Sequence, residues 1–209
     1  IAIDQLHKEL LTFEAKADAL KWFPLFRTWF NIAGLCKLPW IDVRNPKAKY
    51  TDFPAKNMPT VELYIEMVNA TLGTEKTIDD LLLESERVYT LHKLFNLRQG
   101  FGTREHDMIP MRAMGPVFIN EYESRKEYYE KYLRDTAGID IDGMSDKERL
   151  AALQQFRLDQ FEKLTDTVYA SKGYDRNGIV TKATLMRLGM EDPDFFGIIE
   201  TASDAEESS

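Results

Sequence analysis

Apolar residues recur at helical spacing along almost the whole chain. From Ile3 to Phe30 they include Leu6, Leu10, Phe13, Ala17 and Leu20, three or four residues apart, which places them on one face of a helix. Pro24 is predicted to break this run into two pieces, because its ring clashes with the preceding turn. Prolines at 39, 46, 54 and 59, with polar residues between them, predict an extended surface connection from Leu38 to Pro59. Leu63, Ile65, Met67 and Val68 mark the next helix, with Thr60 as its N-cap and Gly73 as its stop. Thr77 opens a third helix with Asp79 and Asp80 in the first turn, where negative charge suits the dipole. Its residues Ile78, Leu81, Leu82, Val88, Leu91, Leu94 and Phe95 predict burial on more than one side, and Gly100 ends it.

Residues 100–120 carry Gly100, Gly102, Pro110, Gly115 and Pro116 and read as loop. Asn120 starts a charged, tyrosine-rich helix, EYESRKEYYEKYLRD. Ser145 and Glu148 form a capping box. It opens a long helix through Leu153, Phe156, Phe161, Leu164 and Val168 to Gly173. A last short helix runs from about Thr181 to Leu188 and stops at Gly189, and the acidic end ASDAEESS is expected to be disordered. No internal repeat and no strand pattern emerges, so the fold class is all-α.

Composition narrows the function classes. A net charge of −8 gives no field to attract a phosphate backbone or anionic lipid, which argues against a nucleic-acid partner. No apolar run is long enough to cross a bilayer as a helix. The single cysteine makes no internal disulfide, and a reducing compartment, the cytoplasm, is expected.

Most candidate motifs fail on spacing. A calcium loop needs an acid at its first position and a glutamate at its twelfth. Centring one on Gly178 puts Gly173 and Thr184 there, and centring one on Gly143 puts Gly138 and Arg149 there, so both segments read as ordinary turns. Gly100-Phe-Gly102-Thr lacks the preceding strand and third glycine of a dinucleotide loop. His7, His92 and His106 have no partner at metal-ligand spacing. The carboxylates Asp79, Asp80, Glu84 and Glu86 fit solvated helix faces, and the tyrosines fit packing or an interface. Cys36, in NIAGLCKLPW, reads either as a buried small apolar residue or as the last ligand of a site completed elsewhere. On periodicity and spacing alone the chain is an all-helical module, and a non-catalytic interaction module remains one reading of it.

Three ordered stretches change that reading: NIAGLC from Asn31 to Cys36, RVYTLHKLFNLRQGFGTREHDMIPMR from Arg87 to Arg112, and VYASKGYDRNGIVTKATLMRLGM from Val168 to Met190. Together they resemble the C-terminal part of the aldehyde ferredoxin oxidoreductase family, whose members bind tungsten, or sometimes molybdenum, through two pyranopterins beside a [4Fe-4S] cluster. The resemblance implies two helical domains that follow a β-rich pterin domain. It implies oxidation of an aldehyde to a carboxylic acid with ferredoxin-type electron transfer. The family's Asp-x-x-Gly-Leu-Cys motif maps onto Asn31, Gly34, Leu35 and Cys36, with Cys36 as the cluster's fourth thiolate and the motif backbone binding one pterin. Asn31 stands where the family has Asp; it keeps a carbonyl acceptor, gains an NH2 donor and loses the charge. A cubane cluster takes four ligands, so three thiolates would come from outside this chain. The resemblance therefore implies the C-terminal portion of a longer polypeptide, or one subunit of a split enzyme, with a ferredoxin or electron-transfer subunit as partner. Lys37 either favours the thiolate or faces solvent.

The other matched positions, Arg87, Asn96, Gly100, Asp107, Pro110 and Arg112, read as structural, and Arg27 and Arg98 as surface ion pairs or pterin-phosphate contacts. Residues 115–164 look like an insertion resembling the branch with the tungsten-dependent class II benzoyl-CoA reductase catalytic subunit, which implies low-potential reduction of an aromatic ring as an alternative reaction. The expected organisation is a helical region 1–115 with the cluster and pterin motif, a C-terminal helical region 116–200 with the insertion, and the tail 201–209.

Overall fold

The structure is a computed structural model in which residues 13–35 and 59–207 are described. The expected extended connection, His7, Cys36 and Lys37 lie outside the described residues. Among those described there are nine helices and no strand, as the all-α reading requires. They are α1 (Phe13–Ile32), α2 (Pro59–Leu72), α3 (Ile78–Arg98), α4 (Met111–Met114), α5 (Ile119–Glu123), α6 (Lys126–Asp135), α7 (Asp146–Lys172), α8 (Lys182–Arg187) and α9 (Pro193–Glu207). No helix among the described residues is long and apolar enough to cross a membrane.

The chain divides into two compact units, one of residues 1–106 and 167–209 and the other of residues 107–166. The chain leaves the first unit after His106 and returns to it at Thr167, partway along α7.

In the first unit α3 is the spine. Thr77 caps it: the Thr77 hydroxyl accepts from the Asp80 N–H at 3.2 Å, and the Asp80 carboxylate accepts from the Thr77 N–H at 2.8 Å. Two apolar faces follow along its length. Leu82 packs with Leu25 and Phe26 of α1, while Leu81 packs with Trp29 and Phe30 of α1 and Tyr64 of α2. Toward the other end, Leu94 and Leu97 pack with Tyr169, Tyr174, Ile179, Val180, Leu185, Ile199 and Ala202. Burial on more than one side is thus observed at Leu81, Leu82, Leu94 and Leu97, whereas Leu91 and Phe95, expected to share it, are exposed.

Three expectations are corrected in the first unit. Pro24 lies inside α1 rather than dividing it. An internal proline costs about 3 kcal/mol. Four buried side chains follow it, Leu25, Phe26, Trp29 and Phe30, each stabilising by about 1.5–3 kcal/mol. The bond it forfeits is to the carbonyl of Leu20, a residue 45% exposed. Next, α2 opens at Pro59, one residue before the expected cap Thr60; proline suits a first helical position because no partner awaits its amide there. Finally, the acidic end is helical through Glu207. Ile199 and Ala202 are buried, Phe195, Phe196 and Ile198 pack around them, and Glu200 and Asp204 stay exposed. Glu200 and Asp204 thus lie on the polar side of an amphipathic helix whose apolar side holds Ile199 and Ala202.

In the second unit Tyr122, Leu133, Ile141, Leu150 and Leu153 form the core. The expected tyrosine-rich helix is two helices, α5 and α6, separated at Ser124 and Arg125. Short helices α4 and α5 also occupy part of the expected loop. The capping box of α7 is present: Ser145 N–H donates to Glu148 Oε2 at 2.7 Å, and Glu148 N–H to Ser145 Oγ at 3.4 Å.

Candidate functional site

The segment Asn31-Ile-Ala-Gly-Leu is built by the way α1 stops. Leu35 N–H donates to the Phe30 carbonyl at 2.9 Å and Gly34 N–H to the Asn31 carbonyl at 3.2 Å, with Gly34 at φ +67°. These are the paired reverse bonds of a left-handed helix cap, a conformation open to glycine at little cost. The cap is completed by an apolar contact, since Leu35 packs against the Trp29–Phe30–Tyr64–Leu81 cluster. Gly34 therefore reverses the chain, and Leu35 anchors the reversal to the core. Asn31, Ile32, Ala33 and Gly34 are exposed, and the space where a Gly34 side chain would sit is open. Cys36, the next residue, is outside the described residues.

The three matched stretches meet along α3. The cap at residues 31–35 is tied to its first half through Leu81. The stretches 87–112 and 168–190 join at its second half, although they lie far apart in sequence. Arg87 Nε donates to the Leu188 carbonyl at 2.6 Å, and Arg187 pairs with Glu86 through bonds of 2.6 and 3.1 Å. The hydrogen bond to Glu86 holds the Arg187 guanidinium above its ordinary pKa against the opposing effect of burial. Arg104 donates from its backbone to the Asn177 carbonyl and from its side chain to the Arg176 carbonyl, both at 2.8 Å. Lys93 lies 5.5 Å from the ring centroid of Tyr174 and 5.9 Å from that of Tyr169, and donates to the Gly102 carbonyl. Placing a cation over two rings this way adds attraction beyond apolar burial.

The contacts at Asn96, Gly100 and Arg112 fit a structural reading. The Asn96 carbonyl accepts from Gln99 N–H and Phe101 N–H, and Gly100 turns the chain at φ +80°. Arg112 pairs with Glu121, whose carboxyl is held below its ordinary range first by the Val117 N–H and then by Arg112. Arg27 is exposed and lies 5.0 Å from the Phe23 ring; Arg98 is exposed in the last turn of α3. The two segments that fail as calcium loops are turns. The Asp175 carboxylate accepts from the Asn177 and Ile179 amides at 2.9 and 2.8 Å, and the Asp140 carboxylate from the Asp142 amide at 3.0 Å. In each, the Oδ1 oxygen is engaged by the chain's own backbone.

Among the described residues no group of three or more His, Cys, Asp or Glu side chains is placed to hold a metal. The His106 ring nitrogen Nδ1 lies 3.0 Å from the Thr103 hydroxyl, and His92 is exposed on α3. The Lys93–Tyr169–Tyr174 cluster has no signal in the sequence, because its members come together only when α7 folds back onto α3.

Comparison with known proteins gives two findings. The family described as aldehyde ferredoxin oxidoreductase, domains 2 & 3, matches residues 2–190. The tungsten-containing aldehyde ferredoxin oxidoreductase of Pyrococcus horikoshii is 37% identical over 51 residues, a span that covers 24% of this chain and 8% of that protein. No solved structure matches significantly.

Proposed function

This chain belongs to the aldehyde ferredoxin oxidoreductase family, and we propose that it is the helical part of a tungsten–bispterin oxidoreductase that oxidises an aldehyde to a carboxylic acid. The observation that carries the proposal is the family match to domains 2 & 3 across residues 2–190. The similarity to a tungsten-containing relative supports tungsten, with molybdenum as the other metal its pterins would take. In such a reaction the aldehyde gains one oxygen from water and gives up two electrons and two protons. Bound together, the tungsten site and a [4Fe-4S] cluster supply two-electron chemistry and single-electron relay to a ferredoxin or an electron-transfer subunit.

This chain's own contribution is narrow. A cubane cluster takes four thiolates and the chain has one cysteine. It therefore fits as the donor of a single ligand, Cys36, with the other three from the remainder of the enzyme. The cap formed by Asn31, Gly34 and Leu35 suits that role, because it fixes the backbone immediately before Cys36 to the packed core. Asn31, exposed at the end of α1, would offer an amide rather than a carboxylate to a pterin.

The test is Cys36→Ser in the native enzyme. The expected result is loss or strong perturbation of the four-iron signal in electron paramagnetic resonance; an unchanged signal would reject the ligand assignment. Reduced or oxidised viologen turnover, with aldehydes and aromatic acyl-CoA esters side by side, separates aldehyde oxidation from ring reduction of the benzoyl-CoA type. Absence of tungsten and iron from the native assembly would leave the non-catalytic helical module as the reading.

A further inference from the structure

Asn177-Gly178 is the one Asn-Gly step in the sequence. Such a step carries an intramolecular reaction. The asparagine amide carbon can close a five-membered ring with the next backbone nitrogen, and glycine has no Cβ to hinder that nitrogen. Whether the reaction is open depends on the turn between α7 and α8 that holds both residues.

The turn is specific. Gly178 N–H donates to the Asp175 carbonyl at 3.1 Å, closing a four-residue turn. Among the described residues only glycines have positive φ and no peptide bond is cis. The turn is therefore of type I, with Asn177 at its third position, where ψ is about 0°. That ψ eclipses the Gly178 nitrogen with the nitrogen of Asn177 and turns it away from the Asn177 side chain. Ring closure needs the opposite: the Asn177–Gly178 peptide must rotate until its nitrogen faces Cβ. Both ends of that peptide are clamped. Its carbonyl accepts from the Arg104 N–H at 2.8 Å, and its N–H is held by Asp175. The Asp175 carboxylate accepts from the flanking Asn177 and Ile179 amides at 2.9 and 2.8 Å, and Asp175 N–H donates to the Ile179 carbonyl at 2.8 Å. Gly178 is buried against the Tyr169 ring: a Cβ there would sit 2.8 Å from Tyr169 Cζ and Oη. Rotation would break several bonds at once inside a packed site.

We propose that Asn177 is a modification site that the fold holds shut and that opening of this turn exposes. Once the peptide rotates, the Gly178 nitrogen attacks Asn177 Cγ. The N–Cγ bond forms, the Cγ–Nδ2 bond breaks, and ammonia leaves with the proton given up by the Gly178 nitrogen. Water then opens the cyclic imide at either carbonyl, leaving aspartate or isoaspartate at position 177. Either product opposes rebuilding of the turn. Aspartate sets a second carboxylate near that of Asp175, and isoaspartate lengthens the main chain between the Asn177 Cα and Gly178. Conversion thus marks a chain that has opened, and it strikes the point where Arg104 joins residues 87–112 to residues 168–190.

The experiment uses the full chain, incubated in mildly alkaline buffer with and without urea. Peptide mass spectrometry follows acid formation at position 177. The expected result is steady conversion in urea and a rate at least about tenfold lower in the folded chain, where reaction waits on local opening. Equal rates, or no conversion in urea, would overturn the proposal. Asp175→Ala removes the carboxylate that holds the two flanking amides. It should raise the folded-state rate about threefold or more and leave the rate in urea unchanged; an unchanged folded-state rate would overturn the clamp. Should that variant fail to fold, hydrogen exchange of the wild type decides: a Gly178 amide protected relative to the urea-unfolded chain supports the proposal, and exchange at the unfolded rate overturns it.

Discussion

Gly173→Ala isolates the close approach that ends α7. Gly173 has φ +72°, and a Cβ there would lie 2.1 Å from the Thr184 hydroxyl oxygen. The Gly173 carbonyl accepts from the Thr181 N–H at 3.2 Å, the Thr181 hydroxyl at 2.8 Å and the Thr184 hydroxyl at 2.7 Å. Two costs follow. A side chain in the left-handed region costs about 1–2 kcal/mol. Driving out the Thr184 hydroxyl, on a residue 4% exposed, leaves a buried donor unsatisfied at about 1–3 kcal/mol. Together they predict a loss of about 2–5 kcal/mol. Gly73→Ala is the control in the same unit: its φ is +65° and nothing lies within 4 Å of the added carbon. It should cost only the conformational share, about 1–2 kcal/mol. Urea unfolding of the full chain, followed by circular dichroism, measures both. In a Thr184→Ala background the excess at Gly173 should vanish, because the blocking oxygen is gone. Equal costs for Gly173→Ala and Gly73→Ala, or an excess that survives Thr184→Ala, would refute the reasoning.

Two further predictions concern charge. Asp80, Glu121 and Glu148 each cap a helix start, and their carboxyls sit below their ordinary range because of hydrogen bonds led by Thr77, Val117 and Ser145 respectively. A depressed folded-state value means the stabilisation is present above the unfolded value and is lost as pH falls through the folded one. The stability of the wild type should therefore decline below about pH 4.5. The triple variant Asp80→Asn, Glu121→Gln, Glu148→Gln should show a shallower decline in melting temperature there; an unchanged slope would count against the assignment. Glu86→Gln, which breaks the pair with the half-exposed Arg187, should cost only about 0.2–1 kcal/mol. The difference should shrink in high salt, measured by thermal melts at two ionic strengths.

Much of the helical framework was legible in the sequence, because helix ends are written in local chemistry. The helix start at Thr77, the Ser145–Glu148 box and the glycine stops at 73, 100, 173 and 189 involve residues only a few positions apart, and the structure places helix ends at each. The single cysteine likewise determined, without any coordinates, that a four-thiolate centre would need ligands from elsewhere. Other features were decided only by tertiary packing. The helix continues through Pro24 because α3 and α2 cover the residues after it. The acidic end is helical because Ile199 and Ala202 reach Leu94 and Leu97, which are remote from them in sequence. The Lys93–Tyr169–Tyr174 contact exists only where distant helices meet. A cap is fixed by atoms a few bonds away, whereas the fate of an apolar face or a buried donor depends on which distant surface excludes water from it.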